Sequence, residues 1–171
     1  MGKLRVFVIR HGESTWVRER GFAGSRDVPL TDTGRRQCAA VARALGGTGV
    51  AAIYASPLER ARASAEVIAE PHRLPVRIVP AFAEMAFGAW EGLTRDEIRA
   101  RFPEGWEQWR AAPHLCAPLG GETVFKVAER VAAGVAELQQ AHADQTIVLV
   151  SHSIVMRVMV LAALGLGLLS A

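Results

Sequence analysis

A chain of 171 residues, half of them hydrophobic, is the right size for one domain built around a single core. The formal net charge of +3 is mildly basic and its Lys and Arg residues are scattered, which excludes a dense nucleic-acid stripe and suits a small anionic substrate. Two cysteines, Cys38 and Cys116, with no CxxC pair, exclude a disulfide framework and point to the reducing cytoplasm.

Leu4–Ile9 (LRVFVI) is a continuous apolar run of the kind found in a buried parallel strand. It starts too early, and with too little charge before it, for a secretory leader. Arg10–Gly24 reads as a polar loop. Thr33–Leu45 has apolar residues at helical spacing and is stopped by Gly46-Gly47. Ala51–Ala55 is a second strand. Ser56, Pro57 and Glu59 then read as an N-cap, a first helical residue and a third, opening a helix to about Glu70.

Val76–Val79 is a third strand and Pro80–Gly92 a long loop. Thr94 and Glu97 form a capping box for a short helix to about Arg101. Pro103–Leu119 looks irregular or partly helical. Glu122–His142 is a long amphipathic helix with Val124, Val127, Val131, Val135 and Leu138 on one face. Thr146–Val150 is a fourth buried strand, followed by a helix over Ser153–Leu164. The apolar stretch Val158–Leu169 is too short to span a bilayer, so no membrane partner is expected. Strands alternating with helices predict an α/β fold, a three-layer α/β/α sandwich with a mostly parallel central sheet. Residues 1–171 read as one domain with a lid-like insertion around 90–119, the expected specificity region.

His11 follows the first strand and His152 the fourth. In parallel sheets ligands bind outside the carboxyl ends of the strands, and right-handed crossovers put those ends on one side. Arg10 ends strand one, and Arg60 lies in the first turn of the helix after strand two. Two planar guanidinium forks, two imidazoles and two helix N-termini on one edge suit a phosphoryl dianion. A leaving alkoxide also needs a proton. Glu84, in the loop after strand three, is the candidate acid, with Phe82, Met85, Phe87 and Trp90 around it to raise its pKa.

Six ordered blocks carry a family resemblance: Arg10-His11-Gly12-Glu13-Ser14-Thr15-Trp16; Gly24-Ser25-Arg26-Asp27-Val28-Pro29-Leu30-Thr31; Ser56-Pro57-Leu58-Glu59-Arg60-Ala61; Glu84 through Gly92; Gly120-Gly121-Glu122-Thr123; and Val150-Ser151-His152. Together they resemble the histidine phosphatase superfamily, also called phosphoglycerate mutase-like, over residues 4 to about 160. The resemblance implies that His11 is the nucleophile and forms a phosphohistidine. It implies that Arg10, Arg60 and His152 hold the phosphoryl group and that Glu84 protonates the leaving group. His11 should be neutral, with its second ring nitrogen on a backbone carbonyl, and His152 protonated. Ser14 and Ser153 complete the expected substrate-binding set. No cofactor and no metal are implied.

The family's usual Asn after the signature Trp is Val17 here, which removes one phosphate contact. Its usual Gly after the second His is Ser153, whose hydroxyl caps the last helix or crowds the site. Relatives commonly continue through another strand, so the chain reads as a short or incomplete version. The brief segment between Glu84 and His152 favours small phosphatases resembling α-ribazole phosphatase and broad-specificity enzymes over mutases. The expected partner is a small phosphorylated metabolite, and a homodimer is compatible with such a domain.

Plainer readings stand beside these. Arg60 could pair with Glu59 or Glu66 on its own helix. Glu13 reads as a local hydrogen-bonding residue, and Trp16, Trp90, Trp106 and Trp109 as core or lid. Arg18, Arg20, Arg95 and Arg99 could reach a distal acidic group or simply face solvent. A mutase-type phosphotransferase and a non-catalytic phosphate-binding module are the rival functions. An NTP-binding domain lacks its P-loop, and Gly165-Leu166-Gly167 follows no strand.

Overall fold

The computed structural model describes residues 3–18 and 21–167. Four strands form one parallel sheet: β1 (Arg5–Arg10), β2 (Val50–Ala55), β3 (Val76–Ile78) and β4 (Thr146–Ser151), in the order β1-β4-β2-β3. β1 pairs with β4 from Arg5↔Thr146 to Arg10↔Ser151. β4 also pairs with β2, so it is covered on both edges and on both faces. That is why its sequence is an unbroken apolar run.

The side-chain alternation of the strands sorts the core into two halves. Ile147 and Leu149 of β4 and Tyr54 of β2 face the side where α6 (Val124–Ala141) and α7 (Ser153–Ala163) pack. Val148 and Val150, with Ile53 and Ala55, face α2 (Asp32–Ala44) and α3 (Glu59–Ala69). The result is the expected three layers. The apolar stripe of α6 buries Val124, Val127, Val131 and Leu138, as its spacing required. Each fully buried aliphatic side chain of this kind stabilises the fold by about 1.5–3 kcal/mol.

The loop after β1 contains a short helix, α1 (Thr15–Arg18), that the sequence pattern did not predict. Pro80–Phe82 and Gly88–Trp90 form single 3-10 turns inside the expected long loop. The capping box of Thr94 and Glu97 starts α4 (Arg95–Arg101), and α5 (Pro103–Ala111) follows at once. The start of α3 differs from expectation. It begins at Glu59 after Leu58, with no side-chain cap, so Ser56 and Pro57 lie outside the helix. The Ser56 hydroxyl is engaged elsewhere, with His152. No helix among the described residues is long and apolar enough to cross a membrane.

Candidate active site

The chain turns sharply after β1. The His11 amide donates to Ser151 O at 3.0 Å, extending the β1–β4 ladder by one bond. The Gly12 amide then donates to Ser64 Oγ of α3 at 3.0 Å. A Cβ on Gly12 would sit 2.5 Å from the carbonyl oxygen of Gly34 in α2, so only glycine lets the two segments come this close. Glu13 acts locally: its carboxylate accepts from the Thr31 hydroxyl at 2.7 Å, and Thr31 caps α2 by accepting from Gly34 N.

This turn fixes the His11 ring. Its Nδ1 lies 2.7 Å from Gly12 O. A carbonyl only accepts, so Nδ1 carries the proton and Nε2 keeps its lone pair. Burial lowers the His11 pKa to about 4. The Gly12 hydrogen bond opposes that shift, while Arg60 and Arg10 reinforce it. The imidazole is therefore neutral at physiological pH, as the resemblance required.

His152 packs beside it, the two ring centroids 5.2 Å apart. His152 is 0% exposed, and its Nε2 lies 2.7 Å from Ser56 Oγ. Its Nδ1 is buried without a hydrogen-bond partner among the described residues. Burial above all, then the charges of Arg60, His11 and Arg10, drives its pKa far below the usual histidine value. The expectation of a protonated His152 is thus corrected: surrounded by the protein's own cations it is neutral. A dianion bound alongside acts in the opposite sense.

Arg60 does not pair with Glu59 or Glu66, and Glu66 is instead 4.0 Å from Arg62. At 2% exposure its guanidinium donates to the carbonyls of Arg26 and Gly24, each at 2.7 Å, and lines the cavity described below. Gly24 reaches that position at φ +52°, where a side chain would be strained and would strike Glu91. Glu91 is the strut under this loop: it accepts from the Ser25 amide at 2.8 Å, the Ser25 hydroxyl at 2.9 Å and the Phe87 amide at 3.0 Å.

Glu84 is 8% exposed, and burial raises its pKa, opposed by hydrogen bonds from the Met85 and Ile154 amides, by Arg60 and by Ser153. The Ser153 hydroxyl donates to Glu84 Oε2 at 3.2 Å, so it caps no helix; it touches the carboxyl. The Glu84 loop is held from below by α6. Arg130 donates to the carbonyls of Ala81 at 2.8 Å, Ala83 at 2.7 Å and Glu84 at 3.2 Å. The same guanidinium pairs with Glu122 at 3.0 Å, and Glu122 accepts from the Ala86 amide at 2.9 Å.

A cavity of about 360 Å³ opens over these groups. Arg10, His11, Arg60 and Glu84 line it, as do Ser14 and Ser153. His152, expected among the phosphate-binding groups, is not among the residues that line it. Ser14 is 0% exposed and its hydroxyl has no partner among the described residues. The far wall is aromatic, with Trp106 and Trp109 stacked at 5.9 Å and Phe22 edge-on to Phe87 at 5.0 Å. Trp90 supports this wall from the core at 1% exposure. Arg95 also lines the cavity, whereas Arg99 faces solvent. Arg20 and the side chains of Val17 and Arg18 lie outside the described residues, so the contacts expected or missing there are not seen.

Sequence reasoning missed Ser56 as the partner of His152, and missed Glu91, Glu122 and Arg130 as loop struts. Glu91 and Glu122 lie inside the ordered blocks, which was the available signal. Arg130 had none, because its targets are backbone carbonyls 46 to 49 residues away. Among the described residues no three His, Cys, Asp or Glu side chains converge as metal ligands would.

A model of the histidine phosphatase superfamily (branch 1) matches residues 6–171. Phosphoserine phosphatase 1 of Hydrogenobacter thermophilus is 33% identical over 165 residues, 96% of this chain and 78% of that one. Adenosylcobalamin/alpha-ribazole phosphatase of Escherichia coli is 29% identical over 95% of this chain and 80% of that one. Among solved structures, Bacillus stearothermophilus YhfR superposes with a TM-score of 0.91 at 32% identity, over 97% of this chain and 82% of that one. The chain spans 45% of the longer bifunctional protein Rv2228c of Mycobacterium tuberculosis, to which it is 33% identical.

Proposed function

The chain belongs to the histidine phosphatase superfamily, branch 1, and on that premise we propose that it hydrolyses phosphomonoesters of small metabolites through a phosphohistidine formed on His11. The observation that carries the proposal is the pairing of a neutral His11, its Nε2 lone pair free, with a buried Glu84 whose pKa is raised, both lining one arginine-rich cavity. The named phosphatases among its relatives support the same reaction class.

In the first step His11 Nε2 bonds to phosphorus as the P–O bond to the alcohol breaks. Glu84 gives its proton to the departing oxygen, releasing a neutral alcohol. Arg10 and Arg60 hold the equatorial oxygens, where charge accumulates in the transition state. His152 packs against the His11 ring, the two centroids 5.2 Å apart. In the second step water attacks phosphorus, the N–P bond breaks and Glu84 takes the water's proton. Phosphate leaves and both catalytic groups return to their starting states. No step calls on a metal or cofactor. The 90–119 segment serves as the lid and specificity wall of a single domain, and Ser14 and Ser153 border the phosphoryl group. The cytoplasm is the setting, consistent with the free thiols of Cys38 and Cys116.

The test is phosphate release from p-nitrophenyl phosphate and a panel of phosphorylated metabolites, with chelator present and a His11→Ala control. Release that persists in chelator and disappears in the variant supports the reading. Release lost to chelator but kept by His11→Ala refutes it.

A further inference from the structure

The cavity carries more positive charge than one phosphoryl group needs. Four arginines line it, Arg10, Arg60, Arg95 and Arg157, against one carboxyl, that of Glu84. Arg10 and Arg60 sit beside His11 and suffice for a phosphate. Arg95 and Arg157 come from other walls. Arg157 lies on α7 one turn beyond Ser153, which touches Glu84, so the two face the cavity from one side of the helix, about 6 Å apart along its axis. Arg95 opens α4, with its guanidinium 6.0 Å from the centre of the Trp106 ring.

Neither arginine is neutralised within the chain, although Arg95 lies over the Trp106 ring. Both are exposed, and among the described residues neither side chain makes a hydrogen bond or an ion pair. Nearby Arg101 and Arg110, by contrast, pair with Glu97 and Glu107. A cation in the first turn of a helix also opposes the helix dipole, so Arg95 gains nothing from its own helix. The wall between them is Phe22, Phe87 and the two tryptophans, which offer a guanidinium no acceptor oxygen.

We propose that the substrate bears a second anionic group, a carboxylate or a second phosphate, held by Arg95 and Arg157 on the leaving-group side of the ester bond. This rests on the phosphomonoesterase assignment and narrows it to short, doubly anionic esters. The two guanidiniums together give a carboxylate or phosphate more than one charge-assisted hydrogen bond.

Two matched substrate pairs test it: 3-phosphoglycerate against glycerol 3-phosphate, and propane-1,3-diol bisphosphate against its monophosphate. Within a pair the anionic member should be preferred by about tenfold or more in kcat/KM, and R95M/R157M should bring the ratio close to one. A preference in the first pair alone identifies a carboxylate, in the second alone a phosphate. A ratio near one in the unsubstituted enzyme, or one that survives the double substitution, overturns the proposal. The same four ligands titrated into His11→Asn read the ratio from affinity alone. That keeps the subsite testable even if the enzyme turns nothing over, an outcome that would refute the phosphatase assignment separately.

Discussion

Burial moves the two central residues in opposite directions and suits each to its task. It disfavours the charged form of His11, lowering its pKa to about 4, and raises the pKa of Glu84, favouring the neutral acid. Attack needs the neutral imidazole, so kcat/KM should fall as pH drops through about 4. Protonation of the leaving group needs neutral Glu84, so activity on alkyl phosphates should fall as pH rises through its raised pKa. In kcat/KM, which reports the first step alone, Glu84→Gln should cost about 10²–10⁴-fold on alkyl phosphates and much less on p-nitrophenyl phosphate, whose leaving group needs no proton. Paired pH–rate profiles on the two substrates check both limbs; equal losses would remove Glu84 from the acid role. At this scale the placing of Arg10, His11, Arg60 and His152 together was legible, because each falls at a strand end or helix start within an ordered block, and Glu84 was legible from its block alone, in the loop after β3. The protonation state of His152 was not. It depends on burial and on the charges of Arg60, Arg10 and Arg130, brought together from α3, β1 and α6, which no local pattern displays.

Two elements act as supports for the reacting groups. The Glu84 loop has little secondary structure of its own, and α6 steadies it through Arg130 and Glu122. Arg130→Met would leave three carbonyls and the Glu122 carboxylate short of a donor, at a cost of about 2–4 kcal/mol. Thermal denaturation should show that loss, and kcat/KM on alkyl phosphates should fall more than kcat/KM on p-nitrophenyl phosphate. A purely structural role would lower both alike. On the other side, Gly24→Ala should strain a residue at φ +52°, push against the Glu91 carboxylate and displace the Gly24 carbonyl that accepts from Arg60. The expected result is weaker inhibition by vanadate, read as a rise in its Ki; unchanged inhibition would contradict the anchoring role. The strands and α6 were legible from periodicity. The start of α3 was misplaced because the Ser56-Pro57 signal for a helix cap is satisfied differently: Ser56 Oγ accepts from Leu58 N at 3.3 Å and meets His152.

For the molecule as a whole, the sheet order β1-β4-β2-β3 places the carboxyl ends of β1 and β4 side by side, which joins two histidines 141 residues apart in sequence. The same arrangement makes stability depend on acid. A histidine whose folded pKa lies below its unfolded value stabilises the fold above the unfolded pKa, about 6.5, and loses that contribution as pH falls. For His11, with a folded pKa of about 4, the loss should accumulate between pH 6.5 and 4 and reach about 3 kcal/mol. His152 adds a loss of the same sign that continues to lower pH. Thermal denaturation across this range should show the decline in the unsubstituted protein and a shallower one in His11→Asn and His152→Asn; parallel curves would contradict it. The layered fold was legible because alternating strands and helices admit few architectures. The cavity's aromatic wall was not, since Phe22 and Phe87 meet Trp106 and Trp109 only after the chain is folded.

Covalent capture of the phosphoryl group tests the central claim most directly. Enzyme mixed with ³²P-labelled substrate and quenched in alkali within one turnover should carry label that survives base, is released by acid, and maps to the peptide containing His11. Rapid phosphate release in a quench-flow experiment with no protein-bound label at any time, or label on a peptide lacking His11, would contradict the account.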